Sequence, residues 1–243
     1  MSVYKEVESR MCALADEAEA KKLMRFFKTG KGEYGEGDVF LGIKVPVTRS
    51  IVREYRQKAD MEDVEMLTAS AWHEIRLAGF LLLIEIYKAL KKRKDADGCR
   101  RVVDLYISLI PKGNNWDLVD LVAPKILGDW LVDNPACRHI LYQFATMHGC
   151  LWHQRVAIVA NWTIIRSGDF DDTFKIASIF LDHKHDLIHK ASGWMLREVG
   201  KRGGKTELLT FLDKNAPKMP RTMLRYAIEK LEMEERKHYL SLF

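Results

Sequence analysis

The stretch AWHEIRLAGFLLLIEIYKAL, residues 71–90, decides the fold class. Its apolar residues recur every three or four positions and charged residues interrupt them, which is the pattern of a helix and not of a strand. Helix start and stop signals recur along the chain, among them Asn134-Pro135 and Gly203-Gly204. No two alternating segments are joined by a hairpin turn. The sequence therefore predicts an all-α protein.

The predicted helices repeat along the chain. Four basic residues stand in similar helical settings: Arg76, Arg155, Lys190 and Arg221. The gap between the first two leaves room for one further unit near Trp116, and the spacing between units is then about 31–40 residues. This is the length of a two-helix repeat, and such repeats stack side by side. We therefore expect a curved α-solenoid, an α-α superhelix, that forms a single domain over residues 1–243.

One segment is not predicted to be helical. Residues Thr29–Pro46 hold five of the 15 glycines, and we expect a long loop there, a kind of segment that often carries function. Within it, Gly30-x-Gly32-x-x-Gly35 matches the letters of a dinucleotide fingerprint. No strand precedes this motif, and Glu33 and Glu36 would repel a pyrophosphate. The motif therefore does not indicate a nucleotide cofactor.

The histidines do not form a metal-binding motif. His73-Glu74 lacks the second histidine of a zinc-protease helix, because Leu77 stands in its place. His183, His185 and His189 have suitable spacing, but no set of cysteines or carboxylates accompanies them, so we interpret them as surface histidines. We expect neither a metal nor another cofactor.

Composition and charge exclude several classes of protein. With 47% hydrophobic residues the 243-residue chain is not disordered, and no apolar run approaches the roughly 18 residues of a membrane span. The four cysteines form no C-x-x-C pair and no signal peptide precedes them, so we expect a cytoplasmic protein. The net charge of +5 lies in residues 184–243, which hold 13 basic and 8 acidic residues. That excess favours an acidic partner such as nucleic acid, although a solvated helix face would also carry it.

A carboxylate in an apolar setting is the strongest candidate for chemistry. Asp120 lies among Leu118, Val119, Leu121 and Val122, and a buried carboxylate needs either a partner or a task. Trp116 precedes it by four positions on a predicted helix, so both project from one face. The alternative is a structural aspartate that is satisfied by an arginine of a neighbouring repeat or by a helix cap.

Two further residues can join this constellation if the repeats stack as predicted. Arg155 stands early in its helix and Trp194 in a later one, and we expect both to lie around one cleft with Trp116 and Asp120. Indole faces hold a cation or the C–H face of a sugar. A guanidinium binds a phosphate, and a carboxylate stabilises a developing positive charge or orients water.

Four motifs that occur in order identify a family resemblance. They are Phe40-Leu41-Gly42-Ile43-x-x-Pro46, Trp116-Asp117-x-Val119-Asp120, Gln154-Arg155-x-Ala157-Ile158 and Lys190-Ala191-x-Gly193-Trp194-x-Leu196-Arg197-Glu198. With them the chain resembles the DNA alkylation repair family, the AlkD-like DNA glycosylases that are built from HEAT-like repeats. The resemblance spans roughly Lys22 to Lys201, most of the chain.

The resemblance implies an activity and roles for individual residues. It implies a metal-free hydrolase that excises positively charged N3- or N7-alkylated purines from double-stranded DNA, in base excision repair. Asp120, Trp116 and Trp194 fall on the catalytic positions of the family, and Phe26 replaces a tyrosine of its best-known branch as a candidate lesion-site aromatic. We expect a set of basic residues to bind DNA phosphates: Arg155, Lys190, Lys201, Arg202 and Lys205.

The resemblance also implies a setting, and two alternatives remain beside it. The setting is a monomer without a membrane partner, acting at the nucleoid in the cytoplasm of a bacterial-type cell. One alternative is a non-catalytic HEAT-like repeat protein that binds DNA structure. The other is a helical-repeat scaffold for protein partners, in which the aromatic positions are core residues and Arg155 is a structural ion-pair partner.

Overall fold

A computed structural model describes residues 2–242, and the regular structure in that range is helical. The β contact it contains is an isolated parallel bridge between Val39 and Trp72. The all-α fold class predicted from the sequence is confirmed. The chain forms two compact units, Met1–Leu118 and Val119–Phe243, and the division falls inside a helix. The single-domain organisation stays a prediction.

From residue 2 onward, the first unit contains six helices and the start of a seventh. They are α1 Val3–Cys12, α2 Glu17–Phe26, α3 Val45–Tyr55, α4 Met61–Thr68, α5 His73–Lys92, α6 Ala96–Leu109 and α7 Trp116–Val122, with a 3-10 turn at Ile110–Lys112. Helix α5, which contains residues 73–90 of the stretch quoted above, packs against α1, α3, α4 and α6. Every residue from His73 to Ile84 is buried. The sequence indicated one apolar face, but the neighbours surround this half of the helix, so its polar residues are buried too.

The glycine-rich segment is a loop, as predicted. Helix α2 ends at Phe26 and α3 begins at Val45, within the last two residues of the predicted loop, because Pro46 is well suited to the first turn of a helix. Gly42 adopts a φ of +87°, and a Cβ at this position would lie 2.1 Å from the carbonyl oxygen of Asp16. This position therefore requires glycine for both conformation and space.

The described part of the second unit contains nine complete helices. They are α8 Asp129–Asp133, α9 His139–Ala145, α10 Leu151–Val159, α11 Asn161–Arg166, α12 Asp171–Ile179, α13 Asp186–Lys201, α14 Lys205–Asn215, α15 Arg221–Ala227 and α16 Met233–Ser241. A π-helical turn at Pro124–Gly128 and 3-10 turns at Pro135–Arg138 and Ala216–Lys218 connect them. Across the described part of the chain, none of the helices has both the length and the apolar content to cross a membrane.

Helix α13 is the centre of the second unit. It packs against α10, α11, α12, α14 and α15, and buries one face that includes Leu187, Met195 and Leu196. A Cβ at Gly193 would lie 2.4 Å from the carbonyl oxygen of Met223, so α13 and α15 approach more closely than any side chain at this position permits.

Candidate functional site

Helix α7 carries two of the residues that the sequence singled out. Trp116 and Asp120 are four positions apart on this seven-residue helix. Its start is fixed by the buried residue Asn115, whose side-chain oxygen accepts a hydrogen bond from the N–H of Trp116 at 2.9 Å. The side-chain nitrogen of Asn115 donates to the carbonyl of Phe27 at 3.4 Å. The first turn of α7 is therefore anchored to the end of α2.

Asp120 and Arg155 form a bidentate ion pair in the second unit. Arg155 Nε donates to Asp120 Oδ1 and Arg155 Nη2 to Asp120 Oδ2, both at 2.8 Å. The side chain of Arg155 is 6% exposed and that of Asp120 is 18% exposed. Both carboxylate oxygens are thus oriented by one planar donor group.

The surroundings of Arg155 differ from those of an open phosphate-binding arginine. Its third nitrogen, Nη1, donates to the carbonyl of Leu187 at 2.5 Å, so all three guanidinium nitrogens have partners inside the protein. The expected proximity to Asp120 is present, but the guanidinium faces this carboxylate instead of a free surface. Arg155 therefore orients Asp120 and ties α10 to the start of α13.

Trp194 occupies a half-buried position on α13. It follows Leu187, the residue whose carbonyl binds Arg155, by seven positions, which places both on the same side of the helix two turns apart. Of the four predicted residues, Asp120 and Arg155 are in direct contact through their ion pair.

An aromatic cluster in the first unit surrounds Trp116; its members are Phe26, Phe27, Phe40 and Trp116. Phe27 stacks on Trp116 with ring centroids 5.4 Å apart, and on Phe40 at 5.1 Å. Phe26 contacts Phe27 and Trp116 edge-on, at 5.0 and 5.9 Å, and is 63% exposed. Phe26 is thus the solvent-facing member of the cluster, and one face of the indole is covered by Phe27.

A buried ion-pair network lies next to the aromatic cluster. His73 Nδ1 lies 2.8 Å from Asp38 Oδ2, and His73 Nε2 lies 2.9 Å from Asp117 Oδ2. Arg76 Nη2 donates to Asp38 Oδ1 at 2.5 Å. Burial disfavours the charged imidazole, but the hydrogen bonds to Asp117 and Asp38 outweigh it and raise the pKa of His73 to about 9. Burial alone would raise the pKa of Asp38, but its hydrogen bonds and ion pairs with His73 and Arg76 outweigh this effect and hold the pKa below its ordinary value.

Sequence reasoning missed this network. The partners of His73 lie 35 and 44 positions away in the sequence, so no local motif contains them. A signal was nevertheless present, because His73, Glu74 and Arg76 interrupt the apolar run of α5 within a single turn. Polar residues grouped in this way in a helix that is otherwise buried require partners.

Glu74 explains one of the family motifs. Its carboxylate accepts hydrogen bonds from the backbone N–H groups of Leu41, Gly42 and Ile43 at 2.8, 2.9 and 3.1 Å. These amides belong to the end of the glycine-rich loop, which has no helical partners for them. The motif Phe40-Leu41-Gly42-Ile43 therefore forms a backbone cradle around a buried carboxylate of α5.

Three of the predicted phosphate-binding lysines form ion pairs with nearby carboxylates. Lys190 lies 2.7 Å from Asp186, Lys201 lies 2.9 Å from Glu198, and Lys205 lies 2.9 Å from Glu235. All three side chains are more than 40% exposed, and Arg202 is also an exposed residue. The carboxylates that pair with Lys190 and Lys205 are 55% and 29% exposed, and pairs of this kind are weak, so these two cations can exchange one anion for another. Glu198, the partner of Lys201, is only 7% exposed.

The three histidines of residues 183–189 contact one another and the protein. His183 Nε2 lies 3.0 Å from the side-chain oxygen of Gln154, and His189 Nε2 donates to the carbonyl of His183 at 2.5 Å. Within residues 2–242, no three His, Cys, Asp or Glu side chains are grouped so that they could hold a metal ion.

Comparison with known proteins agrees with the motifs and the fold. The family model described as DNA alkylation repair enzyme matches residues 7–231. A solved structure described as a predicted DNA alkylation repair enzyme from Enterococcus faecalis is similar with a TM-score of 0.72 and 18% sequence identity, covering 90% of this chain and 97% of that one. At this identity the likeness concerns the fold. No curated protein sequence matches the chain. Because the family model covers nearly the whole sequence, the chain belongs to the DNA alkylation repair enzyme family.

Proposed function

We propose that this protein is a DNA glycosylase that releases positively charged N3- or N7-alkylated purines from duplex DNA and leaves an abasic site. A role in the repair of alkylation damage follows from the family. The observation that carries the finer proposal is the carboxylate of Asp120, which is oriented by two hydrogen bonds from Arg155 and remains 18% exposed.

The chemistry of an alkylated purine matches a single fixed carboxylate. Alkylation at N3 or N7 gives the base a positive charge, so the base leaves as a neutral molecule without protonation by an acid. The sugar then develops oxocarbenium character, and water must attack it. A preorganised carboxylate stabilises this charge and orients the water, and it costs little reorganisation when the reaction occurs.

Arg155 supports this role of Asp120 through geometry. A bidentate guanidinium fixes both the position and the plane of a carboxylate, whereas a lysine would fix neither. The pair also compensates the charge of Asp120 in a largely buried place, where an unpaired carboxylate would be costly. We therefore assign Arg155 as the residue that positions Asp120, in place of the phosphate contact expected from the sequence.

The roles of the aromatic residues are proposed from the family resemblance and from their exposure. Trp116 and Trp194 would offer indole faces to the deoxyribose and its developing charge. Phe26 is exposed at 63% and would contact the lesion without the hydroxyl of the family tyrosine. The absence of that hydroxyl bears on which alkylated bases are accepted and does not alter the electrostatic step at Asp120.

We propose that DNA is bound through phosphate contacts by Lys190, Lys201, Arg202 and Lys205. Lys190 and Lys205 would exchange their exposed or part-exposed carboxylate partners for phosphates, and the displaced counterions would make binding strongly dependent on salt. The protein would act as a monomer, without a metal, at the nucleoid of a bacterial-type cell. HEAT-like repeats, as the family resemblance implies, provide the scaffold.

The test is base release from a panel of duplex DNAs. We expect release of 7-methylguanine and 3-methyladenine, and none of uracil, because the proposed mechanism does not protonate a neutral leaving group. Release without added metal and in the presence of a chelator is also expected. Salt-dependent DNA binding without release of any alkylated purine would favour the non-catalytic DNA-binding alternative. Failure to bind DNA would favour the protein scaffold.

A further inference from the structure

Both ring nitrogens of His73 face carboxylates. The distances are 2.8 Å to Asp38 and 2.9 Å to Asp117, and the side chain of His73 is 2% exposed. An ionised carboxylate only accepts hydrogen bonds, and a neutral imidazole carries a proton on one nitrogen alone. A neutral ring would therefore direct a lone pair at one of the two aspartates. The geometry requires an imidazolium with a proton on each nitrogen.

The charges that face His73 balance. Asp38 from the glycine-rich loop and Asp117 from the first turn of α7 are negative, and Arg76, one turn further along α5, is positive. The imidazole also contacts the rings of Phe27 and Phe40, which carry no charge. Glu74 is engaged by the amides of the loop. With a protonated His73 the network is neutral, and without that proton it holds one uncompensated negative charge.

Two paths connect His73 to Trp116. Asp117, which accepts the hydrogen bond from His73 Nε2, is the next residue after Trp116 in the first turn of α7. The imidazole also stacks on Phe40 at 4.3 Å between ring centroids, Phe40 stacks on Phe27, and Phe27 stacks on Trp116. The backbone and the covered face of the indole are thus both held by groups in contact with this ring.

The glycine-rich loop delivers the carboxylate that the network needs. Asp38 comes from this loop, and its side chain is completely buried. Two amides of the loop are satisfied by its own glutamates, since Gly30 N–H donates to Glu33 and Gly32 N–H to Glu36 at 2.9 and 2.8 Å. A loop that satisfies its backbone internally can place one carboxylate at depth without regular structure.

We propose that His73, clamped as an imidazolium between Asp38 and Asp117, is a positioning residue that orients Trp116 for base release, and that the glycine-rich loop serves to supply Asp38. The link to base release rests on the proposed function, whereas the clamp itself does not. Deprotonation of His73 at alkaline pH would leave two carboxylates without their shared cation and would release the first turn of α7.

The first experiment measures the protonation of His73 directly in the full-length protein. The ring signals are followed by NMR from pH 5 to pH 10 and assigned by comparison with H73Q and, as a second assignment, with D38N. We expect a midpoint near pH 9 for His73. The exposed His148 provides the matched control, and H148Q should leave the His73 titration unchanged. A His73 midpoint at or below its ordinary value of 6.5 overturns the proposal.

The second experiment follows Trp116 without any assay of activity. The protein is labelled with 5-fluorotryptophan, and the Trp116 signal is assigned with W116F. Its fluorine shift should change with the midpoint of His73, whereas the signal of Trp130, which is buried in the second unit, should not change with it. A Trp116 signal that stays constant while His73 loses its proton overturns the positioning role.

The third experiment connects the clamp to the reaction. The single-turnover rate of 7-methylguanine release, measured in short reactions, should fall in wild type with the midpoint of His73. In H73Q the rate should be about 10- to 100-fold lower with nearly unchanged DNA affinity, and its alkaline decline should be absent, because displacement of a positioning group by about an ångström costs up to that factor. H148Q should behave like wild type.

The outcomes separate the two proposals. If wild type releases no alkylated purine while the first two experiments succeed, the proposed function fails and the clamp stands. If wild type is active and its rate stays constant across the titration of His73, the positioning role fails and the proposed function stands.

Discussion

The two units each hold a buried ion-pair network, and the two networks differ in the kind of cation at their centre. In the first unit the cation is His73, which binds Asp38 and Asp117 and loses its proton within an accessible range of pH. In the second unit it is Arg155, which binds Asp120 and keeps its charge at every pH that a protein tolerates.

This difference gives the two networks different proposed roles: one holds the aromatic cluster in place, and the other orients the carboxylate proposed to act on the sugar. A planar guanidinium fixes the Asp120 carboxylate, which is proposed to face the sugar, through two hydrogen bonds. A titratable cation fixes the aromatic cluster, so that geometry depends on protonation. The predictions that follow test whether the two networks are independent, beginning with the largest expected effect.

The largest effect is expected at Asp120. Asp120→Asn keeps the shape and one accepting oxygen but removes the charge that opposes the sugar cation. Loss of one preorganised electrostatic contact lowers a rate about 100- to 1,000-fold, and we expect a loss of that order in single-turnover release of 7-methylguanine, with DNA affinity nearly kept.

The control for this variant is Asp97→Asn, which removes an exposed carboxylate from the first turn of α6. It should retain the wild-type rate. Full activity of Asp120→Asn would remove Asp120 from the mechanism and leave the ion pair with a structural role only.

Replacement of Arg155 should act through Asp120 and through stability. Arg155→Ala leaves a largely buried carboxylate without its partner, and breaking such a pair costs about 3–5 kcal/mol. We expect a lower free energy of unfolding in urea and a lower rate, with the salt dependence of DNA binding unchanged. A reduction of the salt slope by about one unit would instead show that Arg155 contacts a phosphate, as first expected from the sequence.

The network of His73 should make stability depend on pH. Because folding raises the pKa of His73 from 6.5 to about 9, the network adds stability that is complete below pH 6.5 and is lost as the pH rises through about 9. The contribution is on the order of 3 kcal/mol. Urea unfolding of wild type at pH 6 and pH 9.5 measures it, and H73Q should show a much smaller difference between the two.

The smallest effect is expected at the exposed cations. Arg202→Ala should reduce the slope of the logarithm of DNA affinity against the logarithm of salt concentration by about one unit and leave stability within about 0.5 kcal/mol. Arg202 belongs neither to the network of His73 nor to that of Arg155, so the rate of base release at saturating enzyme should stay unchanged. Arg93→Ala is the control, because it removes the same charge from an exposed arginine at the end of α5 that is not proposed to contact DNA.

Local patterns predicted the helices, because the period of apolar residues depends only on neighbours in the sequence. The segment at residues 71–90 was recognised as a helix, yet its burial on all sides was not foreseen, since the packing of α3, α4 and α6 around it is a property of the fold. The loop at residues 29–46 was located, but its delivery of Asp38 to His73 was not.

The candidate site shows the same division between local and long-range information. Asp120 was noticed because a carboxylate among apolar residues is anomalous locally, and an arginine partner from another repeat was one of the interpretations left open. That Arg155 has all three nitrogens engaged became evident from the fold, because the carbonyl of Leu187 lies 32 positions away. His73 was missed for the same reason.

The cradle around Glu74 has a consequence for hydrogen exchange. Leu41, Gly42 and Ile43 belong to a loop, and loop amides ordinarily exchange with solvent as fast as local opening allows. Here their N–H groups donate to a buried carboxylate of α5, so they open only when that helix separates from the loop. In a deuterium-exchange experiment this part of the loop should exchange as slowly as α5 itself, while the residues around Gly32 exchange quickly.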